Sequence, residues 1–377
     1  MLHLLNGSRK ELAKYIKEQN KKIVVYGAGM IGKVIIPDYL LQYDIIDNLQ
    51  FYVDMDVRKQ QKGIEVQGQH YEVCSKDGLL KMPKDSILLV TNSNYNPVLK
   101  MLDEMEGLDG REAILFPVIE AEEAGQVEKE EFPWKEITSN KQIPKKIHYC
   151  WFSGKEIPDY LKKCMESWHR FCPDYEIIRW DESNYDINKN LYMSQAYKAQ
   201  KWGFVPDYAR LDILYEQGGF YLDTDVELIK SLDELRNQGA FCGVEMWGNI
   251  NMGGCSGAVP HHPMIGKILE TRKNLVFCYP DGTLNMETCG VYETQPFLGL
   301  GMHTDNTTQR INGMTVFSSA YFHPYDYMSG EAVLTDRTIS IHHFNGGWLD
   351  ECARKAREKT TLEYRKVRSR MEQEYVW

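Results

Sequence analysis

The chain has 377 residues, which is more than one hydrophobic core normally supports, so its length favours two domains. The formal net charge of −10 argues against a general nucleic-acid-binding protein, because such a protein needs a basic face for the phosphates. The sequence has no apolar run long enough to span a membrane, and its first residues lack the apolar block of a signal peptide. Nine scattered cysteines without a Cys-x-x-Cys pair favour free thiols in a reducing cytoplasm.

Four segments follow one another along the chain. Residues 1–119 alternate short β-branched runs with helical stretches, which predicts an α/β domain with a parallel, Rossmann-like sheet. Residues 120–140 are rich in glutamate and are predicted to form an acidic linker. Residues 141–350 form a second α/β unit, and residues 351–377 are predicted to form a basic C-terminal helix. That helix either packs on the protein with one face solvated or contacts an anionic membrane surface.

A glycine-rich loop follows the first buried strand of the N-terminal segment. Gly27, Gly29 and Gly32 have the spacing of a dinucleotide fold, in which the backbone approaches a pyrophosphate at a helix start. Asp54 ends the next strand, where an acidic residue would meet a ribose hydroxyl. The same glycines also permit close packing of helix on strand without a ligand. The segment resembles the small Rossmann-like domain of certain sugar acyltransferases and bacterial surface-polysaccharide enzymes, which implies a regulatory, scaffolding or nucleotide-binding role.

Two carboxylates stand at the end of an apolar strand in the second unit. Residues 218–222 read Gly-Gly-Phe-Tyr-Leu, and Asp223 and Asp225 follow two positions apart. In an extended chain both side chains point to the same side, where their like charges repel. A divalent cation such as Mg²⁺ or Mn²⁺ relieves that repulsion, and it can also neutralise charge on a diphosphate. The pattern therefore predicts a metal–diphosphate site.

Other candidate residues flank this pair. Asp207 and Arg210 are three apart on a predicted helix, so they share one face, either as an exposed ion pair or as ligands for a donor sugar. Trp151 ends a predicted strand and either stacks on a nucleobase or belongs to the core. His342 and His343 precede a Gly-Gly turn, and at least one of them is expected to contact a metal or phosphate.

In this order the elements are similar to glycosyltransferase family 32, the group of bacterial capsular-polysaccharide and fungal mannosyltransferases with an Asp-x-Asp sugar-binding motif. The pattern is present as residues 143–151, Ser167-Trp168, Asp207 with Arg210, and residues 218–225. The resemblance implies a GT-A type domain over residues 141–350, Mn²⁺ or Mg²⁺ as cofactor, and a nucleoside diphosphate sugar, with uridine preferred, as donor. The sequence departs from the family at Gly347, where serine is usual, and at Pro206, where a small residue is usual.

The resemblance also implies a role for each site residue. Catalysis is assigned to Asp207, Arg210, Asp223 and Asp225. Donor contacts are assigned to Trp151, Asp207, Arg210, Tyr221, Asp223 and Trp348. Metal ligation is assigned to Asp223, Asp225 and His343.

The implied reaction is sugar transfer with retention at the anomeric carbon, by front-face return. Residues 249–257 are expected to line the donor or acceptor cleft. The acceptor would be a hydroxyl of a glycan or lipid-linked molecule in surface or capsular polysaccharide synthesis, in the cytoplasm or at the inner membrane face. Two alternatives stay open: a sugar-nucleotide sensor without turnover, and an NAD-dependent oxidoreductase that uses the loop of residues 27–32.

Overall fold

The computed structural model describes residues 1–66, 68–124, 132–326, 328–344 and 351–373. The N-terminal strands are β1 (His3–Leu4), β2 (Lys22–Tyr26), β3 (Leu49–Val53), β4 (Ile64–Val66), β5 (Gln69–Tyr71), β6 (Val73–Cys74), β7 (Ser86–Val90) and β8 (Glu112–Leu115). The helices are α1 (Arg9–Glu18), α2 (Ile36–Gln42), α3 (Val57–Lys62), α4 (Tyr95–Asp103) and α5 (Phe116–Ala124).

Six of these strands form an all-parallel sheet in the order β1-β8-β7-β2-β3-β6. The inner strands β2 and β7 are almost entirely buried, which explains their continuous runs of valine, leucine and isoleucine. The glycine-rich loop leaves β2 and enters a π-helical turn, Ile31–Ile35, before α2. The first residues of the predicted linker, 120–124, belong to α5, and Glu120 and Ala121 are buried there. Residues 125–131 lie outside the described residues.

The first strand of the second unit begins at residue 146. Its strands are β9 (Lys146–Cys150), β10 (Glu176–Trp180), β11 (Gly219–Tyr221), β12 (Val226–Leu228), β13 (Ala240–Val244), β14 (Ile250–Asn251), β15 (Ser256–Ala258), β16 (Gln309–Ile311), β17 (Met314–Phe317), β18 (Tyr325–Asp326), β19 (Glu331–Ala332) and β20 (Ser340–His342). Its helices are α6 (Asp159–Phe171), α7 (Leu191–Lys198), α8 (Pro206–Gln217), α9 (Pro263–Arg272), α10 (Cys289–Leu298) and α11 (Ser319–Phe322), and α12 (Glu351–Gln373) ends the described chain.

A mixed sheet organises this unit, in the order β10-β9-β11-β15-β13-β17-β16, with β14 paired to β13. Strand β11 runs parallel to β9 and antiparallel to β15. Outside this sheet, β12 pairs antiparallel with β20. Thus the strand before the aspartate pair is central, and the strand after it is joined to a segment more than a hundred residues away in the sequence.

The C-terminal helix α12 packs on the N-terminal unit. Tyr364, Val367 and Met371 are buried in its hydrophobic core. The Arg370 guanidinium lies 2.8 Å from the Asp103 carboxylate of α4. The face at Lys359, Arg365 and Lys366 is exposed. Among the described residues, none of the helices combines the length and apolar character needed to span a bilayer.

A buried pair within the N-terminal unit, between α1 and α5, lies at its contact with the second unit. Arg9 lies 3.5 Å from Glu120, and both side chains are at most 4% exposed. Arg9 also donates a hydrogen bond to the carbonyl oxygen of Thr304 in the second unit. Burial raises the pKa of Glu120 to about 8, and the nearby Arg9 opposes this shift. The Glu120 carboxyl group therefore keeps its proton at pH values well above its ordinary pKa of 4.5.

This pKa predicts a pH-dependent effect of Glu120→Gln. Folded Glu120 keeps its proton to about pH 8, whereas the unfolded chain loses it near its ordinary value of 4.5. The stability that this group contributes is therefore present below the unfolded pKa and is lost as the pH rises through the folded pKa. Glutamine does not titrate, so the melting temperature of the variant relative to wild type should rise from about pH 5 to about pH 8. Thermal unfolding across this range checks it, and exposed Glu104→Gln should show no such trend.

Candidate functional site

The aspartate pair stands where the buried strand β11 ends. Gly218 precedes the strand and Gly219 begins it, with φ of +62° and +99°, which favours glycine at both positions. A Cβ on Gly218 would also lie 2.9 Å from the carbonyl oxygen of Ala258 on the neighbouring β15. The two glycines therefore permit the close pairing that directs the chain toward Asp223. The backbone N–H of Asp223 donates to the carbonyl oxygen of Gly253, 2.8 Å away.

Strand pairing brings a histidine to the aspartates. Val226 of β12 is paired with His342 of β20. His342 Nε2 lies 3.3 Å from Asp225 Oδ1. Asp223, Asp225 and His342 can each offer one ligand atom, and these atoms lie within 4.8 Å of one another. Two carboxylate oxygens and an imidazole nitrogen suit Mn²⁺ or another divalent transition ion.

The adjacent His343 takes a different position. Its ring lies 2.9 Å from Glu227 Oε2, and its backbone N–H donates to the carbonyl oxygen of Asp225. Successive side chains in extended chain point to opposite sides, so only one of the two histidines can face the pair. The structure thus places His342, and not the expected His343, with the candidate metal ligands. Trp348, predicted to contact the donor, lies outside the described residues.

Burial and crowding shape the charges of the site. Burial raises the pKa of Asp223, and the Arg210 guanidinium opposes the shift. Burial alone would lower the pKa of His342, but the Asp225 carboxylate raises it above its usual value. The shift of His342 shows that the carboxylates stabilise positive charge beside them, and the shift of Asp223 shows that burial disfavours its negative charge. A bound divalent cation would supply that charge and displace the proton from His342.

Asp207 and Arg210 form a buried pair on α8, which excludes an exposed surface ion pair. Both side chains are 4% exposed, and Arg210 Nη2 donates to Asp207 Oδ1. Arg210 Nη1 also lies 3.8 Å from Asp223 Oδ2. Burial lowers the pKa of Arg210, but Asp223 and Asp207 more than offset this effect, so its charge is retained. The α8 pair is therefore electrostatically joined to the metal-site aspartate.

A comparison with known families bears on this arrangement. Residues 158–242, which include α8 and both aspartates, match the family model described as the glycosyltransferase sugar-binding region containing a DXD motif. The match supports a place in a glycosyltransferase family. It covers less than a quarter of the chain, and it includes neither the parallel sheet of the N-terminal unit nor His342.

Curated glycosyltransferases show similarity over longer segments. Inositol phosphoceramide mannosyltransferase 3 of Schizosaccharomyces pombe is 31% identical over 154 residues, which are 38% of this chain and 42% of that protein. An uncharacterized glycosyltransferase of Acanthamoeba polyphaga mimivirus is 29% identical over 196 residues, which are 48% of this chain and 73% of that protein. The chain thus spans less than half the length of the yeast relative.

Solved glycosyltransferases are more distant. The structure titled PaToxG Glycosyltransferase has a TM-score of 0.34 at 15% identity, covering 55% of this chain and 77% of its own. The galactosyltransferase LgtC, in complex with donor and acceptor sugar analogs, has a TM-score of 0.30 at 17% identity, covering 59% of this chain and 95% of its own. Scores at this level do not establish a shared fold.

Two aromatic residues that were predicted to contact a donor have unlike surroundings. Tyr221 is fully buried, and its hydroxyl donates to Asp223 Oδ1 at 3.1 Å. Tyr221 therefore acts on a ligand only through Asp223. Trp151 is partly exposed at the end of β9, and its Nε1–H donates to the carbonyl oxygen of Lys155. That bond fixes the edge of the ring, so a face can be presented for stacking.

The Ser167-Trp168 motif has a structural role. Ser167 Oγ accepts a hydrogen bond from the backbone N–H of Leu228, and Trp168 Nε1 donates to the carbonyl oxygen of Val226. Both bonds anchor β12 directly after the aspartate pair. The motif therefore positions the strand that follows the aspartate pair.

The segment 249–257 supports the site through its backbone. Asn251 Oδ1 accepts hydrogen bonds from the N–H groups of Gly253 and Gly254. A Cβ on Gly253 would collide with Asp223 Oδ2 and Arg210 Nη1. Glycine is required at this position because the loop passes directly against the two charged groups.

Gly253→Ala should therefore disturb the site more than the fold. The added methyl displaces the Asp223 carboxylate, and a shift of about 1 Å in a reacting group costs roughly 10²-fold in rate. Thermal unfolding of the variant and kinetics of the activity proposed below check this expectation. Gly299→Ala is the matched control, because its backbone φ is −62° and its Cβ would meet its nearest neighbour at 3.7 Å. Equal activity of the two variants would contradict the prediction.

The glycine-rich loop of the N-terminal unit forms a separate cluster. The N–H of Ala28 donates to Asp54 Oδ2 at 2.7 Å, and Lys59 lies 3.4 Å from the same oxygen. A Cβ on Gly32 would collide with the carbonyl oxygen of Gly27, whereas one on Gly29 would meet no atom within 4 Å. Close packing thus accounts for Gly27 and Gly32, and Asp54 already accepts a loop N–H.

Proposed function

We propose that this chain is a metal-dependent glycosyltransferase that transfers a sugar from a nucleoside diphosphate donor, UDP by preference, to an acceptor hydroxyl. The observation that carries the proposal is the convergence within 4.8 Å of Asp223 and Asp225, which lie in the family-matched segment, with His342, which lies outside it. An Asp-x-Asp pair is common on solvated loops. Here the pair follows a buried strand. A histidine from a distant strand and a buried arginine also lie beside it, as expected of a ligand-binding site.

Each residue of this site would have a distinct role. Asp225 and His342, with Asp223, would hold Mn²⁺ or Mg²⁺, and the cation would neutralise charge on the departing diphosphate. Arg210 and Tyr221 orient the Asp223 carboxylate by the contacts described above. Trp151 would stack on the base, and Asp207 with Arg210 would border the donor sugar.

The stereochemical and biological assignments extend the same proposal. Transfer with retention by front-face return follows from the family resemblance, with a GT-A type domain as the scaffold. The acceptor would be a glycan or a lipid-linked molecule, in surface or capsular polysaccharide synthesis at the cytoplasmic face of the membrane. The curated yeast relatives carry the name inositol phosphoceramide mannosyltransferase, which adds mannose to the candidate sugars.

A donor panel tests the proposal. Release of nucleoside diphosphate is measured from UDP- and GDP-linked sugars, with Mn²⁺ and with EDTA. We expect release from one donor that EDTA abolishes. Donor binding without release from any donor, in the presence of simple glycan and lipid acceptors, would favour a sensor. Absence of both binding and release would refute the transferase proposal.

A further inference from the structure

Two residues far from the Asp-x-Asp motif complete a buried chain of alternating charges. Arg272 Nη1, at the end of α9, lies 3.6 Å from Asp207 Oδ2. Arg272 Nη2 lies 3.5 Å from Glu293 Oε1 on α10. Together with the contacts of α8, these contacts form one series of alternating charges: Glu293, Arg272, Asp207, Arg210 and Asp223. Only Asp223, whose side chain is 29% exposed, opens toward the site; the other four are at most 4% exposed.

Glu293 and Asp223, at the two ends of this series of charges, also form hydrogen bonds with the backbone of the supporting loop. Glu293 Oε2 accepts a hydrogen bond from the N–H of Met252 at 2.9 Å. The next residue, Gly253, accepts the hydrogen bond from the N–H of Asp223. Glu293 therefore influences Asp223 by two routes, one through charges and one through the loop.

The guanidinium of Arg272 is held in a fixed plane. Its carbon lies 5.7 Å from the ring centre of Tyr192 and 4.8 Å from that of Tyr292. A planar fork held between two rings can meet Asp207 on one side and Glu293 on the other, which the single ammonium of lysine cannot do with the same geometry. The residue type thus matches a role in fixing two carboxylates.

We propose that Arg272 and Glu293 are positioning residues for the metal site. They fix Asp207, which fixes Arg210, which in turn orients the Asp223 carboxylate. The inference rests on the proposed function for its kinetic consequences, but its effect on metal affinity does not require turnover. Partners of metal ligands outside the coordination sphere typically change metal affinity or activity by about 10–100-fold.

A double substitution separates positioning from stability. Arg272→Met with Glu293→Gln removes both charges together and keeps an acceptor for the Met252 N–H. Replacing both members of a buried ion pair is often neutral or stabilising, so a purely structural pair should leave the site intact. If the pair positions the metal ligands, the double variant should bind Mn²⁺ about 10–100-fold more weakly than the wild type, while its melting temperature stays near the wild-type value. Mn²⁺ titration followed by electron paramagnetic resonance measures the affinity without any donor.

A matched pair elsewhere in the chain provides the control. Arg9→Met with Glu120→Gln replaces a buried pair of the N-terminal unit with the same separation, 3.5 Å, and side chains that are 4% and 3% exposed. This control should bind Mn²⁺ as the wild type does. If the Arg272/Glu293 double variant does not fold, Arg272→Lys replaces it, with an expected smaller loss of Mn²⁺ affinity and a change in kcat greater than in KM.

The outcomes distinguish this inference from the proposed function. A folded double variant with wild-type Mn²⁺ affinity would overturn the positioning role, as would an equal loss in the Arg9/Glu120 control. A wild type that binds Mn²⁺ but releases diphosphate from no donor would overturn the transferase proposal alone. A wild type that does not bind Mn²⁺ would overturn the metal site and, with it, the positioning role.

Discussion

Asp225→Asn should lower the proposed metal-dependent sugar transfer by on the order of 10³-fold, the upper end of the loss found when one preorganised electrostatic group is removed from an active site. Asparagine keeps the shape of the side chain but removes the negative charge that holds the cation. Asp225 Oδ1 lies 3.3 Å from His342 Nε2, and Asp225 is one of the two carboxylates in the candidate ligand cluster. Diphosphate release with and without Mn²⁺ measures the effect, and Mn²⁺ affinity should fall in parallel.

The neighbouring residues supply sharp controls for this prediction. Glu227→Gln removes a carboxylate two positions further along, which is 42% exposed and faces His343. It should retain most of the activity. Likewise His342→Asn should weaken Mn²⁺ binding, whereas His343→Asn should leave it close to the wild-type value. Full activity of Asp225→Asn, or an equal loss in Glu227→Gln, would be incompatible with a metal centre at this position.

Arg210→Met should destabilise the protein by about 3–5 kcal/mol and abolish transfer, because it removes one partner from a buried ion pair. The substitution leaves the Asp207 and Asp223 carboxylates facing each other without the cation between them. Methionine keeps much of the apolar volume, so the loss reports mainly on charge. Urea denaturation gives the change in unfolding free energy, and diphosphate release gives the change in activity.

An exposed pair gives the comparison for Arg210→Met. The guanidinium of Arg179 lies 2.8 Å from Asp181, but its side chain is 42% exposed. Arg179→Met should therefore cost less than about 1 kcal/mol and leave transfer unchanged. If Arg210→Met unfolds no more easily than Arg179→Met, the buried charge chain does not stabilise the fold. Added Mn²⁺ should not rescue Arg210→Met, since the displaced Asp223 is itself a candidate ligand.

The sequence by itself determined the features that depend on local pattern. Gly218 and Gly219 before an apolar run, followed by Asp223 and Asp225, predicted a strand end with two carboxylates on one side, and β11 ends as expected. The alternation of apolar runs and helices in the first segment likewise predicted parallel strands, and the six-stranded sheet is parallel throughout. Such patterns are readable because strand period and glycine conformation act over a few residues.

The tertiary structure decided what depends on contacts between distant segments. Two adjacent histidines are equivalent in sequence, and only the pairing of β12 with β20 selects His342 for the aspartates. No sequence motif includes Arg272 or Glu293, because Arg272 lies 65 positions after its partner Asp207 and Glu293 lies another 21 positions after Arg272, each on a different helix. Likewise, helical spacing placed Asp207 and Arg210 on one face but could not show that the face is buried. Burial and long-range pairing arise only when helices pack on the sheet, and this packing brings His342 and Arg210 to the local pair of carboxylates.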